Sequence, residues 1–379
     1  MKRCLNCMEE YNDSLGSCPL CGYSPGRKRE PDFLLKEGVI LQRRYIVGTC
    51  QGMRSCDITY IGWDALFERK VLIQEFFPSG FVKRSQGLAV MPKEELKEPY
   101  EKSLNRFIRY FRKLIRLYKE DDIGEVYSCF SENGTAYATQ QYSAAATLRE
   151  WLEIKRGKAP SEAVAFLQQA VRALEKVHGL GLVHGDVGLD SFWLTGTGKL
   201  VLKGFWGPCY FSGEPGMEAF KELEPWEDVY GLALMLGSFL TAEPDMKPEN
   251  LIKRLERRQG EIPGRMVEAI GGALDLDGFE RIDTLKEFYD SMFSDSETIE
   301  QLSDWEGDNF APGSIEVFPK KAVDSWRHSG GRLKLVLCLV LVLVMVAAGV
   351  FAYKRLGPQR GQNQEETVWE ATESGGEVQ

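Results

Sequence analysis

The sequence predicts an α+β protein: a small cysteine-bound module, a strand-rich lobe, a helix-rich lobe and one membrane-length helix. Three observations carry that expectation. Two CxxC pairs stand within the first 21 residues. Apolar residues alternate in short runs through residues 37–142, then recur at helical spacing through 143–293. An apolar run from Leu333 to Tyr353 carries one charge, Lys334, at its edge.

The chain of 379 residues has room for two or three compact units. Its net charge of −9 argues against nucleic acid as a partner of the whole molecule. The opening MKRCLNCMEE holds no apolar run, so no signal peptide is expected. No internal repeat is visible.

Residues 1–27 form the cysteine module. Cys4 with Cys7, and Cys18 with Cys21, offer two knuckles of two thiolates each. That pattern suits a closed tetrahedral Zn²⁺ site, a structural zinc ribbon. So short a segment has no core, and the metal would supply its folding energy. Two disulfides are the competing reading and would need an oxidising compartment. Few basic residues and no interleaved aromatics flank the knuckles, so nucleic-acid binding is disfavoured. No βαβ context supports a redox role.

A polar linker, residues 28–36, leads to the first lobe, 37–142. Val39–Cys50, Asp57–Leu66 and Lys70–Phe77 alternate as strands. An amphipathic helix is expected from Glu95 to Tyr118, with Leu104, Phe107, Ile108, Phe111, Leu114, Ile115 and Leu117 on its apolar side. Its other face carries Arg106, Arg109, Arg112, Lys113 and Arg116 and reads as solvated surface in preference to a ligand site. Two more strands, Glu125–Phe130 and Thr135–Tyr142, flank the turn signal Asn133-Gly134.

The second lobe, 143–293, opens with two helical patterns, Ala146–Gly157 and Ser161–Gly181. Gly179 and Gly181 stop the second. It runs into Leu182–Gly207: a loop carrying Asp186, a hairpin turning at Gly196-Thr197-Gly198, and a second loop.

This last stretch resembles the catalytic loop, hairpin and metal-binding loop of a protein kinase, written HRDxxxxN and DFG in that family. His184-Gly185-Asp186 stands for HRD, Ser191 for the Asn, and Gly204-Phe205-Trp206 for DFG. The Gly-rich loop falls on Gly52 to Asp57 and keeps only Gly52; Arg54 and Asp57 add bulk, and Asp57 negative charge. The run Val71-Leu72-Ile73-Gln74 puts Gln74 at the lysine that contacts phosphates. The following EFFPSG is similar to a bacterial membrane-associated branch of the superfamily. By register, Tyr110 takes the place of the helix Glu that pairs with that lysine. Glu218 and Arg281 match the APE Glu and its Arg partner, and Asp228 the helix Asp that ties down the catalytic loop.

The resemblance spans residues 37–293 and implies a bilobal protein kinase-like fold. It also implies ATP and Mg²⁺, against which the replacements at Gln74, Tyr110, Ser191 and Gly204 argue. Of the key polar residues Asp186 alone is retained as a candidate catalytic acid. Any nucleotide contact would fall to Gly52, Arg54, Gln74 and Lys203, with Asp190 as a substitute metal ligand.

Residues 294–332 read as a linker. Leu333–Tyr353 is long enough to cross a bilayer once, with Cys338 inside it. The surrounding Lys and Arg place the N-terminal side in the cytoplasm, and residues 354–379 read as a polar, disordered tail. The expected protein is a membrane-anchored pseudokinase, a signalling scaffold or nucleotide-responsive module with protein partners. An atypical active Ser/Thr kinase is the alternative. A second is recruitment of protein or nucleic acid to the membrane by the ribbon.

Overall fold

The computed structural model describes residues 1–26, 31–85, 87–155, 160–206, 223–258, 261–275 and 281–293. The expected second linker (residues 294–332), membrane helix, Cys338, polar tail and Glu218 lie outside these residues. Among the described residues no helix is long and apolar enough to cross a membrane.

The ribbon begins with β1 (Lys2–Arg3) and β2 (Glu10–Tyr11), an antiparallel pair. It lies directly on the small lobe, whose sheet starts with β3 (Ile40–Leu41), β4 (Tyr45–Met53), β5 (Asp57–Asp64) and β6 (Arg69–Phe76). The Thr49 N–H donates to Leu5 O at 2.8 Å, and the Thr49 hydroxyl to Asn6 Oδ1 at 2.9 Å. The Arg3 guanidinium lies 3.6 Å over the Trp63 ring, and Lys70 pairs with Glu9 at 2.5 Å. Met8 is fully buried in this seam. The approach is so close that a Cβ on Gly48 would come within 2.2 Å of both Leu5 O and Met8 Cε. Glycine there lets the two backbones meet.

The lobe continues with a short hairpin, β7 (Val82–Arg84) and β8 (Val90–Pro92), and α1 (Lys97–Leu114). Then come β9 (Val126–Glu132) and β10 (Thr135–Gln141). The sheet order is β3-β4-β5-β6-β10-β9. Asn133 and Gly134 both take positive φ, as a two-residue hairpin turn requires. Helix α1 covers the sheet through Phe107, Phe111 and Leu114; Phe107 packs on Phe76 at 5.3 Å. The expected first linker, residues 28–36, needs correction at its end. Leu34 and Leu35 are buried in the hydrophobic core and Phe33 stacks on Phe77 at 5.8 Å, because these apolar side chains pack against the lobe.

The large lobe holds α2 (Leu148–Lys155), α3 (Pro160–His178), β11 (Phe192–Leu194) and β12 (Leu200–Leu202). It ends with α4 (Pro225–Thr241), α5 (Pro248–Glu256), α6 (Gly264–Ala273) and α7 (Leu285–Met292). Helix α4 is apolar on nearly every face, the mark of a central helix. Its start is set by Pro225 in the first turn and by a reciprocal cap between Glu224 and Glu227. Trp151, Phe166 and Phe239 join α2, α3 and α4 in one aromatic cluster.

Candidate functional site

Two sites emerge. The first is the four-cysteine cluster. The Sγ atoms of Cys4, Cys7, Cys18 and Cys21 all lie within 4.8 Å of one another. Cys4 and Cys21 are 3.6 Å apart, Cys7 and Cys18 3.8 Å. A tetrahedral Zn–S₄ centre with bonds near 2.3 Å needs sulfurs about 3.8 Å apart, so the residues fit a zinc ion. These separations are far from a disulfide bond of about 2.05 Å. Burial, then crowding by neighbouring thiols, pushes Cys7 up; burial also raises Cys4. At Cys18 burial acts the same way, but the backbone N–H groups of Cys21 and Leu20 outweigh it and bring the thiol down to about 7. A bound divalent cation would favour the thiolate at all four.

The second site lies where the two lobes meet. Asp228 on α4 organises the loop that carries His184 and Asp186. Its carboxylate accepts the N–H groups of His184 at 2.8 Å and Gly185 at 2.7 Å, and His178 Nε2 at 2.8 Å. His184 is buried and packs tilted against Phe205 at 5.1 Å. Its Nε2 donates to Lys203 O at 2.8 Å, and its Nδ1 accepts the Asp186 N–H. Burial lowers its pKa and keeps this neutral form. His184 is therefore a packing residue that holds two loops together.

Asp186 faces the cleft, but not freely. Arg54, in the turn between β4 and β5, pairs with it at 2.6 Å across the lobes. The same guanidinium lies 3.9 Å over the Trp206 ring. Gln74 on β6 is fully buried, and its amide donates to Trp206 O at 3.0 Å. Gln140 on β10 donates to Gln74 Oε1 at 2.6 Å and to Phe205 O at 3.2 Å. An amide pair thus ties the small lobe to the second loop, where the resemblance expects a lysine and phosphates.

The metal positions are unsuited to Mg²⁺, which takes oxygen ligands from carboxylates and phosphates. Gly204 offers no side chain. Its φ is +77°, and a Cβ there would approach Trp206 Nε1 at 3.3 Å. The Ser191 hydroxyl is engaged within its own loop, accepting Gly188 N–H and donating to Gly188 O, each at 2.8 Å. The substitute ligand Asp190 is held by Arg149 at 2.6 Å.

Several expected roles need correction. Tyr110 sends its hydroxyl to Val183 O at 3.1 Å, so it anchors the start of the Asp186 loop from α1. The α1 side chains that stack on β6 are Tyr100 and Phe107, through Phe76. Lys203 lies with Nζ 5.6 Å from the Trp193 ring. Gly52 is an exposed β4 residue with open space around its Cα. Asp57 is no exposed charge on a loop: it starts β5 and is 3 % exposed. Burial pushes its pKa to about 7, against the pull of Arg54 and Gln74. Asp57 Oδ1 and Thr59 Oγ1 are buried without hydrogen-bond partners. Arg281 pairs with Asp283 at 2.6 Å and lies 4.1 Å over Trp226, while its expected partner Glu218 lies outside the described residues. Sequence reasoning missed the roles of Trp206 and Gln140; neither has a local signal for a contact across the lobes.

No protein-family profile matches the chain. A curated relative, the probable serine/threonine-protein kinase zyg-1 of Caenorhabditis briggsae, is 24 % identical over 176 residues. The match takes in 41 % of this chain and only 25 % of that protein, so this chain spans about a quarter of that relative's length. Among solved structures, the apo form of PpkA-294 is similar at TM-score 0.50 and 22 % identity, over 68 % of this chain and 99 % of the other. The M. tuberculosis PknI kinase domain gives TM-score 0.47 and 19 % identity, over 71 % and 100 %. With the two-lobed architecture described above, the chain has a protein kinase-like α+β fold and a four-cysteine cluster at its N-terminus.

Proposed function

We propose that the chain is a membrane-anchored pseudokinase that works by binding partners rather than by transferring phosphate. One observation carries this reading: Asp186, the retained acid, is held at 2.6 Å by Arg54. Phosphoryl transfer asks a protein for positioned phosphates, metal ligands and a free base. Gln74, Gly204 and Asp186 answer none of the three. The lobes therefore supply a shaped surface, with the zinc-bound ribbon as part of it. The apolar run Leu333–Tyr353 is the anchor, and the flanking Lys and Arg favour lobes that face the cytoplasm.

The test is nucleotide binding by the full chain in detergent, read as a thermal shift with millimolar ATP, with and without Mg²⁺. The expected result is no Mg²⁺-dependent shift and no phosphate transfer, in the native chain and in Asp186→Asn alike. A Mg²⁺-dependent shift with transfer that Asp186→Asn abolishes would establish the atypical active kinase instead.

A further inference from the structure

Positive charge collects at one end of α1. From Lys102 to Lys119 the sequence holds seven Lys and Arg and no Asp or Glu. Arg109, Arg112 and Lys113 on the helix, and Arg116 in the 3₁₀ turn Ile115–Leu117 that extends it, share one exposed stripe at helical spacing. Exposed Tyr118 and Lys119 follow. Lys113 donates to Leu180 O at 2.9 Å, and Arg109 to Asn105 O of its own helix at 3.4 Å. Lys119 Nζ lies 5.5 Å over the Tyr118 ring. Among the described residues none of these five cations meets a carboxylate.

Local structure does not account for the stripe. The helix dipole favours cations in the last turn, Arg112 and Lys113, but Arg109, Arg116 and Lys119 lie outside that turn. The acids that follow do not offset it. Asp121 pairs with Lys199, and Glu120 and Asp122 with Lys176, each of these two at 2.7 Å.

The stripe's form limits what it can hold. Phe107, Tyr110, Phe111 and Leu114 are buried against the lobe, so α1 keeps no apolar face to insert into a partner. Recognition must run through charge. The stripe is the outer face of a helix, roughly 10 Å long from Arg109 to Arg116. Its cations stand on long apolar stems and suit a plane of anionic groups better than one enclosed anion. Tyr118 adds an amphipathic ring of the kind that sits at headgroup level. In a chain of net charge −9 an anionic plane repels the molecule as a whole, so a local stripe decides which face approaches.

We propose that the α1 stripe docks on the headgroups of an anionic bilayer, with Arg109, Arg112, Lys113, Arg116 and Lys119 as its contacts. The inference rests on the membrane anchor for its supply of lipid. A tether turns weak headgroup contacts into intramolecular ones. Each basic side chain near such a surface strengthens the association about fivefold, and roughly four to eight on one helix select anionic lipid.

The experiment uses the full chain in nanodiscs of phosphatidylcholine, alone or mixed with phosphatidylglycerol. An amine-acylating reagent reads the accessibility of Lys113 and Lys119 by mass spectrometry, with exposed Lys36 as internal reference. In the mixed discs labelling of both should fall roughly fivefold. Salt at about 1 M, where the Debye length is about 3 Å, should restore it. So should a variant combining Arg109→Glu, Arg112→Glu and Arg116→Glu. A second set, Arg109→Gln, Arg112→Gln and Arg116→Gln, removes charge without reversing it and stays informative if the first is unstable. A control on exposed residues around α5, Lys247→Glu, Lys253→Glu and Arg257→Glu, changes total charge equally and should leave the protection intact. Equal labelling in both kinds of disc would overturn the stripe. Loss of protection in the control would do the same, by making total charge the cause. Protection in uncharged detergent that rises with protein concentration would assign the stripe to a second copy and overturn the lipid. A full chain that does not enter the discs would overturn the anchor alone. Added phosphatidylglycerol vesicles should then still protect the two lysines, and labelling unchanged by them would overturn the stripe as well.

Discussion

Glu75 is fully buried, with Arg84 at 2.6 Å and the hydroxyls of Tyr60 and Tyr137 at 3.1 and 2.9 Å. Burial raises its pKa, and Arg84 is the main force opposing that. Removing the cation leaves a buried carboxylate alone. Arg84→Met should therefore cost about 3–5 kcal/mol in urea unfolding. Adding Glu75→Gln should recover part of it; no recovery would mean that the packing of Arg84, not its charge, matters. Asp57 gives the opposite case, a buried acid with little support. Its pKa of about 7 lies well above the ordinary value of 3.8. The native state thus holds a proton that the unfolded chain releases near pH 4. Its contribution to stability is full below that pH and is lost as pH rises through 7. Asp57→Asn should then raise stability at pH 8 by roughly 2–4 kcal/mol, with little change near pH 4. Thermal melts at the two pH values decide it, and an equal shift at both would remove ionisation as the cause.

At the scale of elements, the ribbon is a layer of the small lobe. Its contacts with β4 and β5 run through backbone, through Met8 and through the Arg3–Trp63 stack. A metal that folds the ribbon should therefore also hold β4. Chelation of the metal, or Cys4→Ser, should speed exchange of the Thr49 amide, which donates to Leu5 O, and leave α4 protected. Gly48→Ala should do the same with the metal in place, at about 1–3 kcal/mol, by overpacking the seam. Unchanged Thr49 protection after metal loss would make the ribbon an independent module. The strands, helices and cysteine knuckles were legible in the sequence because period-2 and period-3.6 patterns and CxxC spacing are local signals. The ribbon's seat was not: Gly48 is one glycine among 38, and nothing near it marks a docking face.

At the scale of the whole molecule, the replacements were legible residue by residue, but the contacts they make were not. The replacements at Gln74, Ser191 and Gly204 stand in the sequence. That Arg54 reaches Asp186, and Gln74 the Trp206 carbonyl, depends on pairs 132 positions apart, which no local pattern encodes. The distinction matters for what would restore activity. If only ligands were missing, Gln74→Lys, Ser191→Asn and Gly204→Asp together would rebuild the site. The geometry argues that they will not. The backbone at 204 has positive φ and its Cβ direction meets Trp206 Nε1, so an aspartate there is strained. Arg54 still neutralises Asp186 and lies on the Trp206 ring. The triple variant should show no Mg²⁺-dependent thermal shift with ATP. Adding Arg54→Gly and Trp206→Gly should produce one, because Asp186 is then unpaired and the side chain at 204 no longer meets an indole. Phosphate transfer by the triple variant alone would show that the cleft lacks only ligands. The Arg54–Asp186 pair would then be a resting contact that substrate displaces, and the case for a binding protein would fall with it.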